Sequence, residues 1–368
     1  MKTMKQTLML LGIAMFVGGC SSHDEDAMQA EDNLAPITFG IASTDATDTR
    51  AGYEGEVNNS ILCATGFGVY AYVTRDAAWP ASGSTNNYMP DFMCNQYISN
   101  SWGTEWSYEP VKYWPNTEKV SFFAYAPYVR QSEVFYDDVA KAMADAITDG
   151  QDGILAIPRP TTKGDPQIAY RIGNPAHCVD LTCCEALNKT KLMVNEPVLF
   201  FFRHTLARFV VHVDFTSAVD WDDTRVLIKK VKLTEGQGLY KMGVLSLKSS
   251  STSNANWQNQ TEKEDDLTYM VPATLKYEEG KSFAQQPGGV KELPTSLFGM
   301  GRDGRSPASL QYIPGPASSD PVKLQITFMV VSSDGTETEY VKEGTTATAG
   351  TVFEAGRTTR MNIHLTTD

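Results

Sequence analysis

The chain has 368 residues, of which 42% are hydrophobic and 20% charged, and its formal net charge is −13 at pH 7. This balance provides enough apolar side chains for a sizeable core and excludes a disordered chain. The negative charge argues against nucleic acid and anionic membrane surfaces as partners, because both would repel the protein. Beyond the N-terminus, no apolar stretch approaches the length of a transmembrane helix.

The first predicted element is an export signal. Two lysines precede the apolar run Leu8 to Val17, which is too short to span a bilayer, and two glycines then lead to Cys20. A cysteine straight after small residues is typical of a lipoprotein signal, so we expect residues 1–19 to be removed and Cys20 to be acylated. The acidic tether Ser21 to Asp26 resembles the signal that directs lipoproteins to the outer face of the outer membrane. An ordinary signal peptide with a nearby cysteine is the alternative.

Most of the mature chain has the pattern of β-strands. Runs with period-two alternation of apolar side chains recur between turns rich in Gly, Pro, Asn, Asp and Ser. The predicted strands are Pro36–Ile41, Gly66–Val73, Lys119–Ala126, Val198–Phe202, Phe209–Phe215, Val226–Leu233, Leu324–Val331 and Met361–Leu365. Short strands joined by long polar loops predict an all-β fold made of β-sandwiches.

One minor helix is predicted in the first half of the chain. Apolar residues recur at every fourth position between Ser132 and Gly150, and the glycine is a helix stop signal. The stripe consists of Phe135, Val139, Met143 and Ile147.

A turn-rich region from Lys163 to Asn195 predicts a boundary between two domains. The predicted organisation is a signal peptide (1–19), a lipidated tether with the first strand (20–50), an N-terminal β-sandwich (51–193) and a C-terminal β-sandwich (194–368).

The cysteines do not define a disulfide framework. With Cys20 lipidated, an odd number remains, and the adjacent Cys183 and Cys184 would pair with one another only in a strained ring. His177-Cys178 lies close to this pair in sequence, but there is no CxxC or HxxxH spacing to support a zinc site. Buried thiols, with one disulfide left open, are the preferred interpretation, and no metal is expected. The other two cysteines are Cys63 and Cys94.

The sequence contains little that would support catalysis. It has no GxSxG elbow, P-loop, GxGxxG, HExxH or EF-hand loop. The segment Asp149 to Gly153 could ligate calcium, but an Asp/Gly turn explains it more simply. His204 and His212 lie within a predicted strand pair and are interpreted as structural. We therefore expect neither enzymatic activity nor a cofactor.

Aromatic residues are concentrated just before the strand Lys119–Ala126. Exposed Trp and Tyr rings stack on sugars, so a glycan-binding surface is one interpretation. Because the rings flank a turn at Glu109-Pro110 and lead into a strong strand, core packing is the preferred one. The cluster consists of Trp102, Trp106, Tyr108, Tyr113 and Trp114.

Several runs, taken together and in order, resemble the fimbrillin family, the Mfa-like and FimA-like pilins of Bacteroidales. Those similar to the family's N-terminal domain are Gly66–Tyr70, Phe92–Gln96, Tyr108–Pro115 and Val120–Tyr128. In the second half, Phe202–Arg208 resembles the segment that opens the family's second domain, and Phe353–Arg357 the segment before its last strand.

The resemblance implies a lipoprotein precursor of a type V pilus, built from two transthyretin-like β-sandwich domains. An Arg-specific protease cuts such precursors, and the matching position here is Arg50-Ala51. Cutting would remove the lipid anchor together with the first strand, whose Ile37, Phe39 and Ile41 share one face. A strand from a neighbouring pilin subunit would then fill the apolar groove.

The cleavage position has alternatives. Arg50 lies in a Thr/Asp/Ala/Gly segment that is typical of an accessible loop. Arg75 and Arg130 are further candidates on chemistry alone, and Arg50 could equally be an ordinary surface residue.

The last predicted strand bears on the place of the subunit in a filament. Met361, Ile363 and Leu365 have the spacing of a donor strand, but in the family this run resembles the domain's own final strand, with donor sequence beyond it. The sequence stops at Asp368. We therefore favour a tip or accessory pilin over a stalk pilin, with loops of the second domain as the surface for a host or bacterial ligand.

A second function from a different class is an anchored surface lipoprotein that binds glycan and never polymerises. It would keep Cys20 and use the aromatic cluster, but it would give Arg50 no role.

Overall fold

The computed structural model describes residues 35–42, 59–80, 86–100, 105–130, 134–136, 139–173, 180–191, 196–234, 239–248, 256–262, 267–268, 271–300, 309–317, 321–347 and 350–367. The strands of the first half are β1 (Phe39–Ile41), β2 (Phe67–Arg75), β3 (Met93–Ile98), β4 (Lys119–Ala126), β5 (Phe135–Tyr136), β6 (Gly153–Pro158), β7 (Gln167–Arg171) and β8 (Thr182–Lys189). Two helices accompany them, Asn59–Thr65 and Val139–Asp149.

The second half adds further strands and a short 3₁₀ helix at Phe283–Gln285. The strands are β9 (Val198–Phe200), β10 (Arg203–His204), β11 (Ala207–Phe215), β12 (Thr224–Thr234), β13 (Leu239–Tyr240), β14 (Met242–Ser246), β15 (Trp257–Thr261), β16 (Leu267–Thr268), β17 (Thr295–Ser296), β18 (Leu310–Pro314), β19 (Val322–Ser332), β20 (Glu337–Ala347) and β21 (Thr358–Leu365). The chain is therefore all-β with little helix, as the alternation of apolar residues predicts.

A central five-stranded sheet organises the first half, with strand order β10-β8-β4-β2-β3. Successive side chains of β2 enter different cores: Phe67 and Val69 pack on one side of the sheet and Tyr70 on the other. Because both faces are buried, β2 and β4 are almost continuously apolar and do not alternate with polar residues.

One face of the central sheet is covered by a second sheet, with order β15-β14-β7-β6-β5. Tyr170 and Trp257 belong to the core between them. The helix Val139–Asp149 lies on the far side of this second sheet, where Met143 packs against Ala156 and its neighbours. Gly150 follows the helix with φ +66°, a left-handed conformation that glycine adopts at low cost.

The other face of the central sheet is covered by a two-stranded ribbon in which β1 runs parallel to β9. Leu62 of the first helix and Trp114 complete this core. We call the assembly of β1–β10, β14 and β15 the first body.

The rest of the chain forms a second sandwich, which we call the second body, and Ile313 of its strand β18 packs in the core of the first body. One sheet has the order β13-β18-β11-β17 with β21 paired to β11, and the other has the order β16-β12-β19-β20. Their inner faces enclose a core that includes Phe215, Val231 and Phe328. The loop carrying Tyr277 and Phe283 covers the outer face around Leu227.

All eight predicted strands are confirmed in position. The predicted helix is confirmed from Val139 onward, but its start is wrong, because Phe135 pairs with Ile157 as part of β5. Phe135 lies four residues before Val139, a spacing that fits the helix as well as a short strand that ends just before it. The spacing of apolar residues therefore does not show where the helix begins.

The boundary at 193/194 stays a prediction, as does the transthyretin-like detail. Strands that follow this position pair with strands that precede it: β9 with β1, β10 with β8, and β14 with β7. The second half of the chain therefore contributes to the first body.

Candidate functional site

The candidate site is the groove in the first body that holds β1. Ile37 is 1% exposed and Phe39 is 5% exposed, and both belong to the core beneath the ribbon. Ile41 is partly buried against the same core. The alternation predicted for this strand thus places all three side chains on the inner face.

Three aromatic rings surround Phe39. Its ring stacks on Phe200, with centroids 5.4 Å apart and planes within 10°. Phe122 presents an edge at 5.7 Å, and the ring of Tyr108 lies tilted at 5.4 Å. The pocket therefore fits a flat aromatic ring. Stacked and edge-to-face ring pairs stabilise a core by more than the burial of their surface area alone.

Backbone hydrogen bonds hold the strand on both sides. On the β9 side, Val198 N–H donates to the Thr38 carbonyl at 2.8 Å, and Ala42 N–H donates to the Phe200 carbonyl at 3.0 Å. On the opposite side, Ile37 N–H donates to the Lys112 carbonyl at 2.8 Å.

The opposite side also supplies a reverse bond, from Trp114 N–H to the Ala35 carbonyl at 2.9 Å. The strand therefore lies between two partners, parallel to one and antiparallel to the other.

Tyr108 adds a side-chain hydrogen bond to the backbone of this strand. Its hydroxyl donates to the Ile37 carbonyl at 2.9 Å in a buried position. Burial raises the pKa of Tyr108, so the hydroxyl stays protonated and able to donate. The same oxygen accepts a hydrogen bond from Lys112 N–H at 3.2 Å.

The solvent side of the groove is partly apolar. Leu199 is 47% exposed and Phe201 is 56% exposed, and both project outward between the buried residues of the Val198–Phe202 segment. Leu199 lies over Gly40, where an added Cβ would approach its Cδ2 to 3.0 Å. On the other side of the strand, the exposed Tyr113 pairs with Pro36.

This arrangement defines what loss of the strand would do. Without β1, the rings of Phe200 and Phe122 would lose a buried neighbour, and the N–H groups of Val198 and Trp114 would lose their acceptors. A bare edge with apolar pockets of this kind is a template for another strand.

The last predicted strand lies elsewhere, in the second body. All of β21 pairs in parallel with β11, from Arg208↔Thr358 to Phe215↔Leu365. Leu365 is fully buried, Met361 is nearly so, and Ile363 packs partly against the same core. The structure therefore keeps this candidate donor strand in the core of its own sandwich.

The lipidation and processing residues fall outside the described residues. Cys20, Arg50 and Ala51 are therefore predictions only. The two alternative cleavage positions are described: Arg75 is exposed at the end of β2, and Arg130 is exposed after β4.

The aromatic cluster is mostly part of the core. Trp114 and Tyr108 are buried, and the ring of Trp106 lies tilted against Phe67 with centroids 4.9 Å apart. Tyr113 is the exposed member among those described, and Trp102 lies outside the described residues. The preference for core packing is confirmed for these three rings.

The adjacent cysteines are buried thiols on opposite faces of the central sheet. Cys184 faces the core beneath the ribbon, whereas Cys183 faces the core between the two sheets. Burial raises the pKa of both thiols. Among the described residues, no group of His, Cys, Asp and Glu could hold a metal ion, and Cys178 and His177 are not among them.

The other polar candidates have structural contacts. Asp152 pairs with Arg171 at 3.1 Å, and Arg171 also pairs with Glu262 at 2.7 Å, which gives the carboxylate of the Asp/Gly segment a protein partner. His204 of β10 contacts Asp180, which lies just before β8 in the chain. His212 is partly buried in β11. No helix in the described part of the chain is long and apolar enough to cross a membrane.

Phe200, Phe122 and Tyr108 line the groove, but no local pattern in the sequence assigns them to it. The alternation of Val198–Phe202 identified a strand but gave no indication that it pairs with residues more than 150 positions earlier in the chain. Tyr108 belongs to the aromatic cluster and to the run Tyr108–Pro115, but neither pattern places its ring beside Phe39.

A family model described as fimbrillin-like matches residues 49–368, most of the chain. This chain belongs to the fimbrillin-like family. The matched region of this fimbrillin begins after β1. It therefore includes β9, which forms one side of the groove, but not β1 itself.

Two relatives illustrate the similarity. The fimbrium subunit Fim1C of Phocaeicola vulgatus is 25% identical over 349 residues, which cover 89% of this fimbrillin and 82% of the relative. The crystal structure of a fimbrial protein from Bacteroides vulgatus matches with a TM-score of 0.64 at 21% identity, covering 90% of this chain and 95% of that one. The structural match indicates a shared fold.

Proposed function

We propose that this fimbrillin is a structural, non-enzymatic subunit of a cell-surface pilus. Membership of a fimbrial family supports that role and a place at the cell surface. In the proposed pathway the precursor is exported as a lipoprotein anchored through Cys20, and an Arg-specific protease cuts between Arg50 and Ala51. The anchor and β1 then leave together, and a strand from another pilin subunit takes the place of β1.

The observation that carries this proposal is that β1 completes a core while pairing over only a short length. Only Phe39–Ile41 pairs in register with β9, yet the segment 35–42 that contains β1 buries both Ile37 and Phe39. Burial of each such side chain contributes roughly 1.5–3 kcal/mol, before the entropy of ordering is subtracted. A strand held this way is stabilising while covalently attached, and it can be exchanged once the chain is cut.

The empty groove would favour the addition of a new strand. Its edge would carry unpaired backbone groups on both sides, and unpaired buried groups cost roughly 1–3 kcal/mol each. An added strand would satisfy them and refill the apolar pockets. The first body would then be completed by its neighbour.

A tip or accessory position is part of the same proposal. The strand β21 pairs with β11 over its whole length and buries Leu365. If β21 were donated to another subunit, the core of the second body would be opened. A subunit that accepts a strand but keeps β21 in its own sandwich suits a filament end. If a chain lacking residues 361–368 folded and yet failed to join growing filaments, a stalk position would be favoured instead.

Limited trypsin digestion of the mature chain tests the proposal. We expect a single early cut after Arg50, read as a new N-terminus by mass spectrometry, and a stable remaining core that oligomerises or takes up an added strand peptide. Early cuts after Arg75 or Arg130 with Arg50 intact would contradict the assignment of the processing site.

The two adjacent cysteines provide a matched pair of reporters for the same experiment. Before cutting, neither Cys183 nor Cys184 should react with iodoacetamide, because both are buried and protonated. After β1 is removed, Cys184 should become reactive while Cys183 stays protected on the opposite face of the sheet. Equal protection of both thiols after removal would show that β1 does not cover this core.

The alternative of an anchored glycan-binding lipoprotein has less support. Tyr108 and Trp114 pack in the core and are not available as a sugar platform. Retention of the uncut protein on a polysaccharide column, together with resistance at Arg50, would favour it.

A further inference from the structure

We propose that the groove selects its replacement strand by an aromatic side chain at the Phe39 position, followed by a small residue at the Gly40 position. This inference rests on the proposed function, since it specifies the strand that replaces β1. The occupant is a strand with the pattern aliphatic, any residue, aromatic, small, aliphatic. It belongs to a different protein and not to the last strand of a second copy.

The aromatic requirement follows from the walls of the central pocket. Phe39 contacts a stacked ring, an edge-on ring and a tilted ring, contributed by Phe200, Phe122 and Tyr108. An aliphatic side chain would fill part of the volume but would lose these ring geometries and leave a gap beside Phe200. In a closely packed interior such gaps are costly, because the surrounding structure relaxes only partly.

Backbone hydrogen bonds fix which face of an incoming strand turns inward, whatever its side chains are. The Tyr108 hydroxyl requires a carbonyl at the Ile37 position, and Val198 N–H requires one at the Thr38 position. A strand shifted by one residue would turn its apolar side chains to the solvent. A shift by two residues would keep the inward face but move the aromatic side chain away from the three rings of the central pocket, so the aromatic residue itself sets the register.

The small residue follows from the contact between Gly40 and its neighbours. A Cβ at this position would lie 3.0 Å from Leu199 Cδ2 and 3.3 Å from Pro197 Cγ. The exposed Leu199 side chain can move aside to make room for a methyl group at the Gly40 position. A branched side chain there would push the Leu199 side chain away from the incoming strand. This second preference is accordingly weaker than the first.

The last strand of this chain does not fit the pattern. Aligned with Met361 at the Ile37 position and Leu365 at the Ile41 position, it places Ile363 in the aromatic pocket and His364 beneath Leu199. It is also committed to its own sandwich through β11. Both observations point to a different protein as the donor.

Peptide exchange on the complete chain tests the inference. The chain is cut between residues 42 and 59, at Arg50 or at an inserted protease site, so that β1 stays bound but can dissociate. A fluorescent peptide with the sequence of residues 35–42 is then exchanged into the groove, and unlabelled variants compete with it.

We expect Phe39→Leu to weaken competition roughly tenfold and Phe39→Ala roughly a hundredfold. Gly40→Val should weaken it by a smaller factor, and Thr38→Ala, at an exposed position, should compete like the original peptide. A peptide of residues 358–367 should compete poorly.

The outcomes separate this inference from the proposed function. If the original peptide exchanges but Phe39→Leu and Phe39→Ala compete within a factor of about two, the aromatic selection is wrong while strand addition stands. If residues 358–367 compete as well as the original, a second copy is the donor. If no peptide enters the groove, strand addition itself is wrong and the inference fails with it.

Discussion

The first and last strands of this fimbrillin are both parallel additions to a neighbour that is distant in sequence, but they are held differently. The strand β1 pairs with β9 over three residues, and its inner side chains enter a core shared with the central sheet. The strand β21 pairs with β11 over eight residues and forms part of the sheet that closes the second body.

The two strands are alike in how deeply their side chains are buried, but they differ in how much backbone pairing holds them. Both strands bury large apolar side chains, Phe39 in one case and Leu365 in the other. Only β21 is also tied by a long backbone ladder, so its removal would unpair much of β11. Loss of β1 unpairs only a short stretch of backbone on each side and empties one set of pockets. A short strand with strong pockets is suited to exchange, and a long ladder is suited to permanence.

The largest expected effect is at Phe39. Phe39→Ala should destabilise the first body by about 3–5 kcal/mol, since it empties a pocket lined by three rings. Hydrogen exchange followed by mass spectrometry should show faster exchange in β2 and β4, with β12 and β19 unchanged as an internal reference. Thr38→Ala is the matched control, and faster exchange in both bodies would mean that the two cores unfold as one.

Leu365→Ala tests the other strand. It should destabilise the second body by about 2–5 kcal/mol through the cavity that it leaves, and the first body should be unaffected. Urea unfolding combined with the same exchange measurement would locate the loss. Undiminished protection in β11 would contradict the role of β21 as a permanent strand.

Tyr108→Phe should have a smaller effect, confined to β1. It removes the hydroxyl that donates to the buried Ile37 carbonyl, at a cost of about 1–3 kcal/mol, while keeping the ring against Phe39. In the cut protein, β1 should dissociate faster by roughly tenfold or more. An unchanged dissociation rate would mean that water replaces the hydroxyl without cost.

The smallest expected effect is at His364, which pairs with Asp214 between β21 and β11 at 2.5 Å. The histidine is largely exposed, so His364→Ala should change the free energy of unfolding by at most about 1 kcal/mol. A loss as large as that of Leu365→Ala would show that the contact between His364 and Asp214, and not the buried leucine, holds β21.

The sequence predicted eight of the strands, because alternation reports directly on which side chains face a core. However, β7 and β8 lie in the region that was interpreted as turn-rich, and the long strand β20 was not predicted. The run at Leu324–Val331 alternates in this way, whereas Lys119–Ala126 is marked by a nearly continuous apolar run, because both of its faces are buried. The helix Asn59–Thr65 was missed, since it covers fewer than two turns and only Leu62 marks its buried side. The start of the second helix was misplaced because Phe135 fits a helical stripe and a short strand equally well.

The partners of each strand could not be predicted in the same way. Alternation gives a strand its faces but not its neighbours, and the pairing of β1 with β9 or of β14 with β7 joins residues far apart in the chain. The groove is built from such pairings. Its pocket residues Phe200 and Tyr108 were each visible as apolar or aromatic, but their meeting around Phe39 was not.

By itself, the sequence determined the all-β class, the apolar faces of the strands and the resemblance to fimbrillins, because these depend on local periodicity and local motifs. Only the tertiary structure decided that β1 is a short strand between two partners and that β21 is locked in a long ladder. The physical reason is that burial and hydrogen bonding between distant segments are properties of the packed chain, and a local pattern of residues does not contain them.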